Sequence, residues 1–155
     1  MAADLGSDFI HGVLVTGSVL LRESQRFFRP LGVTEAQFNV LNVLAGAPAG
    51  MSQRELGDVL IVDRSNVTGL LDRMGKAGWV RRESHAQDRR IHRVVLTAKG
   101  RQLWAKVRPL YLTAVGRVVA GLPAADMKQA LATLAALEAG AKNWDHLPAA
   151  KKNRI

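Results

Sequence analysis

The sequence predicts a mostly α fold with one small β-hairpin, in which two short helices and a hairpin lie between long flanking helices. Three observations lead to this class. The stretch DRSNVTGLLDRMGK (63–76) places Val67, Leu70, Leu71 and Met74 at i, i+3, i+4 and i+7, one apolar stripe on a 3.6-residue repeat. A short capped helix ends only a few residues before it. Two runs of strand composition follow, separated by the polar, basic turn HAQDRR (85–90).

Taken in order, residues 8–28 read as a long helix, with Phe9, Ile10, Val13, Leu14, Leu20, Leu21 and Phe28 at three- and four-residue spacing. Its apolar face is wide, and Gly6, Gly12 and Gly17 weaken it as an isolated helix. Such a helix needs to be sandwiched, in the core or against a partner. Pro30 and Gly32 stop it. Thr34–Gln37 is a capping-box pattern opening a second, mostly buried helix, which GAPAG (46–50) ends. Ser52–Glu55 is another capping box, opening a short helix through Leu60. Ile61 and Val62 turn into the 63–76 helix, where Asp63 is placed to accept the first free N–H groups. Away from its stripe this helix shows Arg64, Ser65, Asn66, Thr68, Gly69, Asp72, Arg73 and Lys76. A solvated helix face normally carries long Glu and Lys pairs; short hydrogen-bonding side chains let another surface approach. Major-groove base edges are one such surface, since Asn pairs adenine bidentately and Ser or Thr can bond several bases. The plainer alternative is a face that is merely small and polar.

Gly78 ends that helix, Trp79–Ser84 has strand character, and Ile91–Thr97 supplies β-branched residues for a returning strand. Helix, helix and hairpin with a basic tip make a winged helix-turn-helix. The tip holds Asp88, Arg89 and Arg90, with Arg93 following, and an arginine fork suits a narrow, negative minor groove; a solvated loop is the competing reading. Thr97 can cap a long helix over 98–120, with Leu103, Val107, Leu110, Ala114 and Val118 in one stripe and Pro109 expected to kink it. Gly121-Leu122-Pro123 breaks the chain before a last helix over 124–142. The terminal helices and the first present more apolar surface than a small winged lobe can cover, which implies a dimerisation layer or else an intrachain three-helix pack. The expected organisation is one domain over 1–155: a DNA-binding lobe at 34–97, dimerisation helices at 8–28 and 98–143, and a basic tail at 148–155.

Charge narrows the partners. The formal net charge is +9, which suits an anionic partner, nucleic acid or a membrane surface. Residues 1–51 carry net −1, whereas 52–101 hold eleven basic against six acidic residues, so the excess surrounds the 63–76 helix. There is no cysteine, which excludes disulfides, thiolate metal sites and thiol switches. The run 9–21 contains His11, Thr16 and Ser18 with no basic residue before it, a poor signal peptide, so a soluble cytoplasmic protein is expected. His11, His85, His92 and His146 are scattered, no phosphate-cradling glycine motif is present, and neither an enzyme, a cofactor nor a metal is implied.

The stretch 52–100, with its pattern Asp88-x-Arg90 followed by Val94-x-Leu96-Thr97, resembles the MarR (multiple antibiotic resistance regulator) family, and the helix order on either side is similar as well. The resemblance implies a homodimeric transcription factor, usually a repressor, on a pseudo-palindromic operator, with the 63–76 helix in the major groove and the wing in the flanking minor groove. It implies that Arg64, Ser65, Asn66 and Thr68 face bases or nearby phosphates, and that Arg90 probes the minor groove with Arg89 beside it. Asp88 would orient the wing arginine or pair with Arg73, and Ser52 and Gln53 would cap phosphates. Many relatives bind small aromatic or phenolic acids between the dimer layer and the DNA-binding lobe; here the residues to look at are His11, Arg22, Phe38 and Tyr111, although such a lone residue on a mostly apolar helix is more often a packed side chain with one partner. The family's peroxide-sensing branch uses a first-helix cysteine that this chain lacks. Two alternatives stay open: an effector-independent architectural DNA-binding protein, and a winged-helix module for protein contacts only.

Overall fold

In the computed structural model, residues 4–60, 64–84 and 92–142 are described, without the side chains of Arg64, Ser65 and Ser84. The expected Ile61–Val62 turn, the Asp63 cap, the 85–90 hairpin tip and the basic tail lie outside them. The chain comprises two compact units, Met1–Leu112 and Thr113–Ile155, with the boundary inside one helix.

Helix α1 spans Leu5–Phe28, starting earlier than the periodicity indicated because the Asp4 carboxylate accepts from the Gly6 N–H at 3.1 Å. It closes in a 3-10 turn, Arg29–Leu31, built on Pro30. Both capping boxes form. Thr34 starts α2 (Glu35–Ala45) by exchanging bonds with Gln37, and Ser52 starts α3 (Gln53–Val59) by exchanging bonds with Glu55. Helix α4 is Arg64–Lys76. The hairpin strands are β2 (Val80–Ser84) and β3 (His92–Leu96), and α5 (Ala98–Val118) runs continuously through Pro109. Helix α6 is Ala124–Ala141.

The sheet corrects the two-stranded expectation. A short strand, β1 (Met51–Ser52), pairs antiparallel with β3, giving the order β1-β3-β2. Two residues are too few for a periodic signal, and the second of them is the N-cap that marks α3. Gly50 makes the approach possible: its φ is +73°, and a Cβ there would lie 2.6 Å from Val95 Cγ1 and 2.8 Å from the Val94 carbonyl oxygen.

The core of the first unit has two parts. The larger joins Val40, Leu41, Leu44, Leu56, the α4 stripe and Val80, Val94 and Leu96; the smaller joins Phe28, Val33, Phe38 and Val107. Half-buried Trp79, Leu103 and Trp104 touch both, and Trp104 Nε1 donates to Asn42 Oδ1 at 3.2 Å. Only Phe28 of α1 is fully buried; Leu5 is 82% and Leu14 64% exposed, so most of its apolar face is uncovered. The predicted α5 stripe is covered through Val107, whereas Leu110 and Val118 are exposed. In the second unit, α6 has no buried residue.

Candidate nucleic-acid interface

Helix α4 is oriented by its apolar side. Val67, Leu70, Leu71 and Met74 are all less than 5% exposed, and each such burial stabilises by about 1.5–3 kcal/mol relative to exposure. Nothing comparable constrains the other side, which is left to interact outward. Asn66, Thr68, Asp72, Arg73 and Lys76 are exposed there. Gly69 lies beneath Arg73, whose Nη1 would be 3.5 Å from a Cβ at that position.

The neighbouring helix meets this face at Thr68, where Gln53 Nε2 donates to Thr68 Oγ1 at 2.5 Å. The start of α3 is otherwise closed by the protein's own groups. Ser52 N–H donates to Glu55 Oε2 at 2.7 Å, and Glu55 N–H donates to Ser52 Oγ at 3.2 Å. The Ser52 backbone bond, its hydroxyl and the nearby Arg93 charge hold the Glu55 carboxyl below its usual range. Ser52 thus serves as the cap of α3, with the Glu55 carboxylate on its N–H.

The wing is tied to α4 by an ion pair absent from the sequence expectations, Arg82 Nη2 to Asp72 Oδ1 at 2.8 Å. Arg81 pairs with Glu83 on the same strand. Arg93 departs from its expected place in the arginine cluster: opposite Ser52 in the β1–β3 register, it donates from Nη1 to the Gly50 carbonyl at 2.9 Å, and its Nε is buried without a partner. It fastens β1 rather than reaching outward. Several positive charges counted by the sequence are thus used internally. Among the described residues Arg54, Arg73 and Lys76 are exposed and enter no ion pair. Arg64 and Ser65 open α4, but their side chains, like the whole of Asp88, Arg89 and Arg90, lie outside the described structure, and with them the expected Asp88–Arg73 pairing.

The far end of α4 is fastened to the start of α5. Thr97 Oγ1 donates toward the Gly78 carbonyl at 2.6 Å and accepts from Gly100 N–H at 3.0 Å, while Lys99 Nζ donates to the Ala77 carbonyl at 2.8 Å. A lysine at a helix C-terminus also complements the dipole. Gly100 is required by proximity, since a Cβ would sit 2.1 Å from the Trp79 carbonyl oxygen.

Of the four residues expected at an effector pocket, the structure brings two together. Phe38 and Tyr111 lie 4.9 Å apart between ring centroids, with Phe28 against both at 4.9 and 5.8 Å. His11 and Arg22 are exposed on α1, and Arg22 pairs with Glu23. His11 precedes Phe28 by 17 residues on one helix, about 25 Å along its axis, so it does not join the aromatic group within one chain. Among the described residues no group of three or more His, Cys, Asp or Glu is placed to hold a metal, and no helix is long and apolar enough to cross a membrane.

A model of the MarR family matches residues 31–91. Among solved structures the chain is similar to the M. tuberculosis transcriptional regulator MOSR in complex with DNA, at 30% identity over 84% of this chain and 96% of that one, with a TM-score of 0.67. It is similar to CouR from Rhodococcus jostii RHA1 bound to p-coumaroyl-CoA, at 25% identity over 88% and 95% of the two chains, with a TM-score of 0.78. The Streptomyces coelicolor MarR family regulator AbsC, at 23% identity over 92% and 98% and a TM-score of 0.82, matches the fold.

Proposed function

Since the chain belongs to the MarR family of transcriptional regulators, we propose that it is a homodimeric, sequence-specific repressor that binds a pseudo-palindromic duplex and is released by a small aromatic or phenolic ligand. The observation that carries the DNA-binding reading is the two-sidedness of α4: a buried apolar stripe opposite exposed Asn66, Thr68 and Arg73. Asn66 and Thr68, with Arg64 and Ser65 from the same helix, contact base edges or adjacent phosphates. Arg73, Gln53 and the wing residues Arg89 and Arg90 contact the backbone and the minor groove. The cases for Arg64, Ser65, Asp88, Arg89 and Arg90 rest on sequence alone. MOSR, at 30% identity, has been solved with DNA, which supports this reading.

A second copy of the chain is the partner for α1, whose Phe9, Leu14, Val15, Leu20 and Leu21 are at least 43% exposed. For the ligand, support comes from CouR, which holds the thioester of a phenolic acid, and from Phe38 and Tyr111 sharing one aromatic cluster. The close mutual packing of Phe28, Phe38 and Tyr111 favours a second reading, an effector-independent binder.

Selection of bound duplexes from a random pool tests the proposal. A symmetric motif is expected, with log K falling against log salt at a slope of about −0.9 per phosphate contact. Arg90→Ala is expected to weaken binding by about 1–3 kcal/mol without unfolding the protein. Absence of any binding to duplex at low salt refutes the DNA-binding reading, and unchanged affinity in Arg90→Ala refutes the wing assignment. Release of the complex by phenolic acids or their thioesters separates the two ligand readings.

A further inference from the structure

The bond between Gln53 and Thr68 joins two residues of different standing. Thr68 is exposed on the outward side of α4, and Gln53 is half-buried as the first residue of α3. A carboxamide has two N–H donors, so with one given to Thr68 the other remains, and the reverse orientation of the amide frees both. At the α3 start Ser52 and the first-turn N–H of Glu55 are engaged by the capping box. The Gln53 side chain adds a donor at that place. Beside it is a shallow depression of about 260 Å³ lined by Gln53, Arg54, Gly57 and Val67, with Arg54 exposed at its edge. A backbone phosphate matches this combination of a neutral donor and a cation.

The same bond restricts Thr68. A helical threonine divides between two side-chain rotamers. A hydrogen bond from the neighbouring helix selects the rotamer that presents Oγ1 to Gln53. That choice also fixes where the methyl and the hydroxyl proton point.

We propose that Gln53 is a positioning residue for base selection. Its amide sets the Thr68 hydroxyl while its remaining N–H engages a DNA phosphate, so backbone contact and choice of base are made by one linked pair. The inference rests on the DNA-binding reading above.

The test compares the parent protein with Gln53→Ala, Gln53→Glu, Thr68→Val and the Gln53→Ala/Thr68→Val double variant. Each is put through duplex selection from a random pool, and melting followed by circular dichroism checks the fold. Thr68→Val is expected to flatten preference at one position of each half-site. Gln53→Ala should flatten the same position and weaken the selected duplex roughly tenfold. The double variant should be little weaker than the worse single one, as expected of two groups acting through one bond. Gln53→Glu can still accept from the Thr68 hydroxyl but repels phosphate, and glutamate is well accepted in a first helical turn. It should keep the preference while weakening every duplex.

A Gln53→Ala protein that weakens all duplexes equally, with its motif intact, makes Gln53 a plain phosphate contact and overturns the proposal. Additive losses in the double variant do the same. In either case the parent's motif leaves the DNA-binding reading standing, whereas a parent that selects no motif removes both.

Discussion

Gly100→Ala puts the joint between α4 and α5 to a direct test. Helix propensity alone makes this substitution favourable by about 1 kcal/mol, because Gly100 lies within α5. The structure reverses the sign. The added Cβ falls 2.1 Å from the Trp79 carbonyl oxygen and 3.3 Å from Leu96 Cδ2. An ordinary C···O approach is about 3.3 Å, so a gap of about 1.2 Å has to open in a buried place. The Trp79 oxygen is not free to move, since it accepts from the Thr97 N–H at 3.0 Å and from Thr97 Oγ1 at 3.2 Å. Overpacking costs about 1–3 kcal/mol and each lengthened hydrogen bond about 0.5–1.5 kcal/mol. Summed over both bonds and set against the propensity gain, the net loss is about 1–5 kcal/mol, or a fall in Tm of the order of 10 °C. Gly75→Ala is the control: it is exposed in α4 with nothing within 4 Å of the new Cβ, and it should stabilise by about 0.5–1 kcal/mol. Thermal and urea melts without DNA measure both. A Gly100→Ala protein as stable as its parent refutes the argument from close approach.

Other expectations follow from the same contacts. The Asp72–Arg82 pair is 47% exposed at both side chains, so a double-mutant cycle on stability should give less than about 1 kcal/mol, and less still in high salt. A larger coupling would mean that the pair fixes the wing more firmly than its exposure allows. The Glu55 carboxyl is held low by Ser52, so the folded chain takes up that proton less readily than the unfolded one. Stability from this group is present above the ordinary glutamate pKa of about 4.3 and is lost as pH falls below it. Glu55→Gln, which keeps the cap, should flatten the acid limb of a pH–stability curve; an unchanged limb contradicts the assignment. Gly50→Ala should loosen β1 and with it the Arg93 contact, read as lost amide protection across the β1–β3 pairing in hydrogen exchange.

Much of the fold was legible because local chemistry and burial agree. The boxes at Thr34 and Ser52 closed as their residue types require, and the α4 stripe at Val67, Leu70, Leu71 and Met74 is the stripe that is buried. What could not be read depends on contacts between distant segments. Met51–Ser52 is a strand only because Arg93 and Val94 run alongside it. Arg93 looked like its arginine neighbours, yet its alternation in β3 turns it toward Gly50. Asp72 was one polar residue among several until Arg82 arrived from the next strand. Likewise, nothing in the spacing of Gln53 and Thr68, 15 residues apart, announces their bond.

The fastening of Ala77 and Gly78 to Thr97 and Lys99 gives α4 a mechanical arm. A helix of 13 residues is about 20 Å long, so a swing of about 10° about that anchored end carries the opposite tip roughly 3.4 Å, the rise of a single base step. Any small tilt imposed on the first turn of α5 would therefore shift Asn66 and its neighbours by about one base step, enough to take this face out of register with a bound duplex without any part of the protein unfolding.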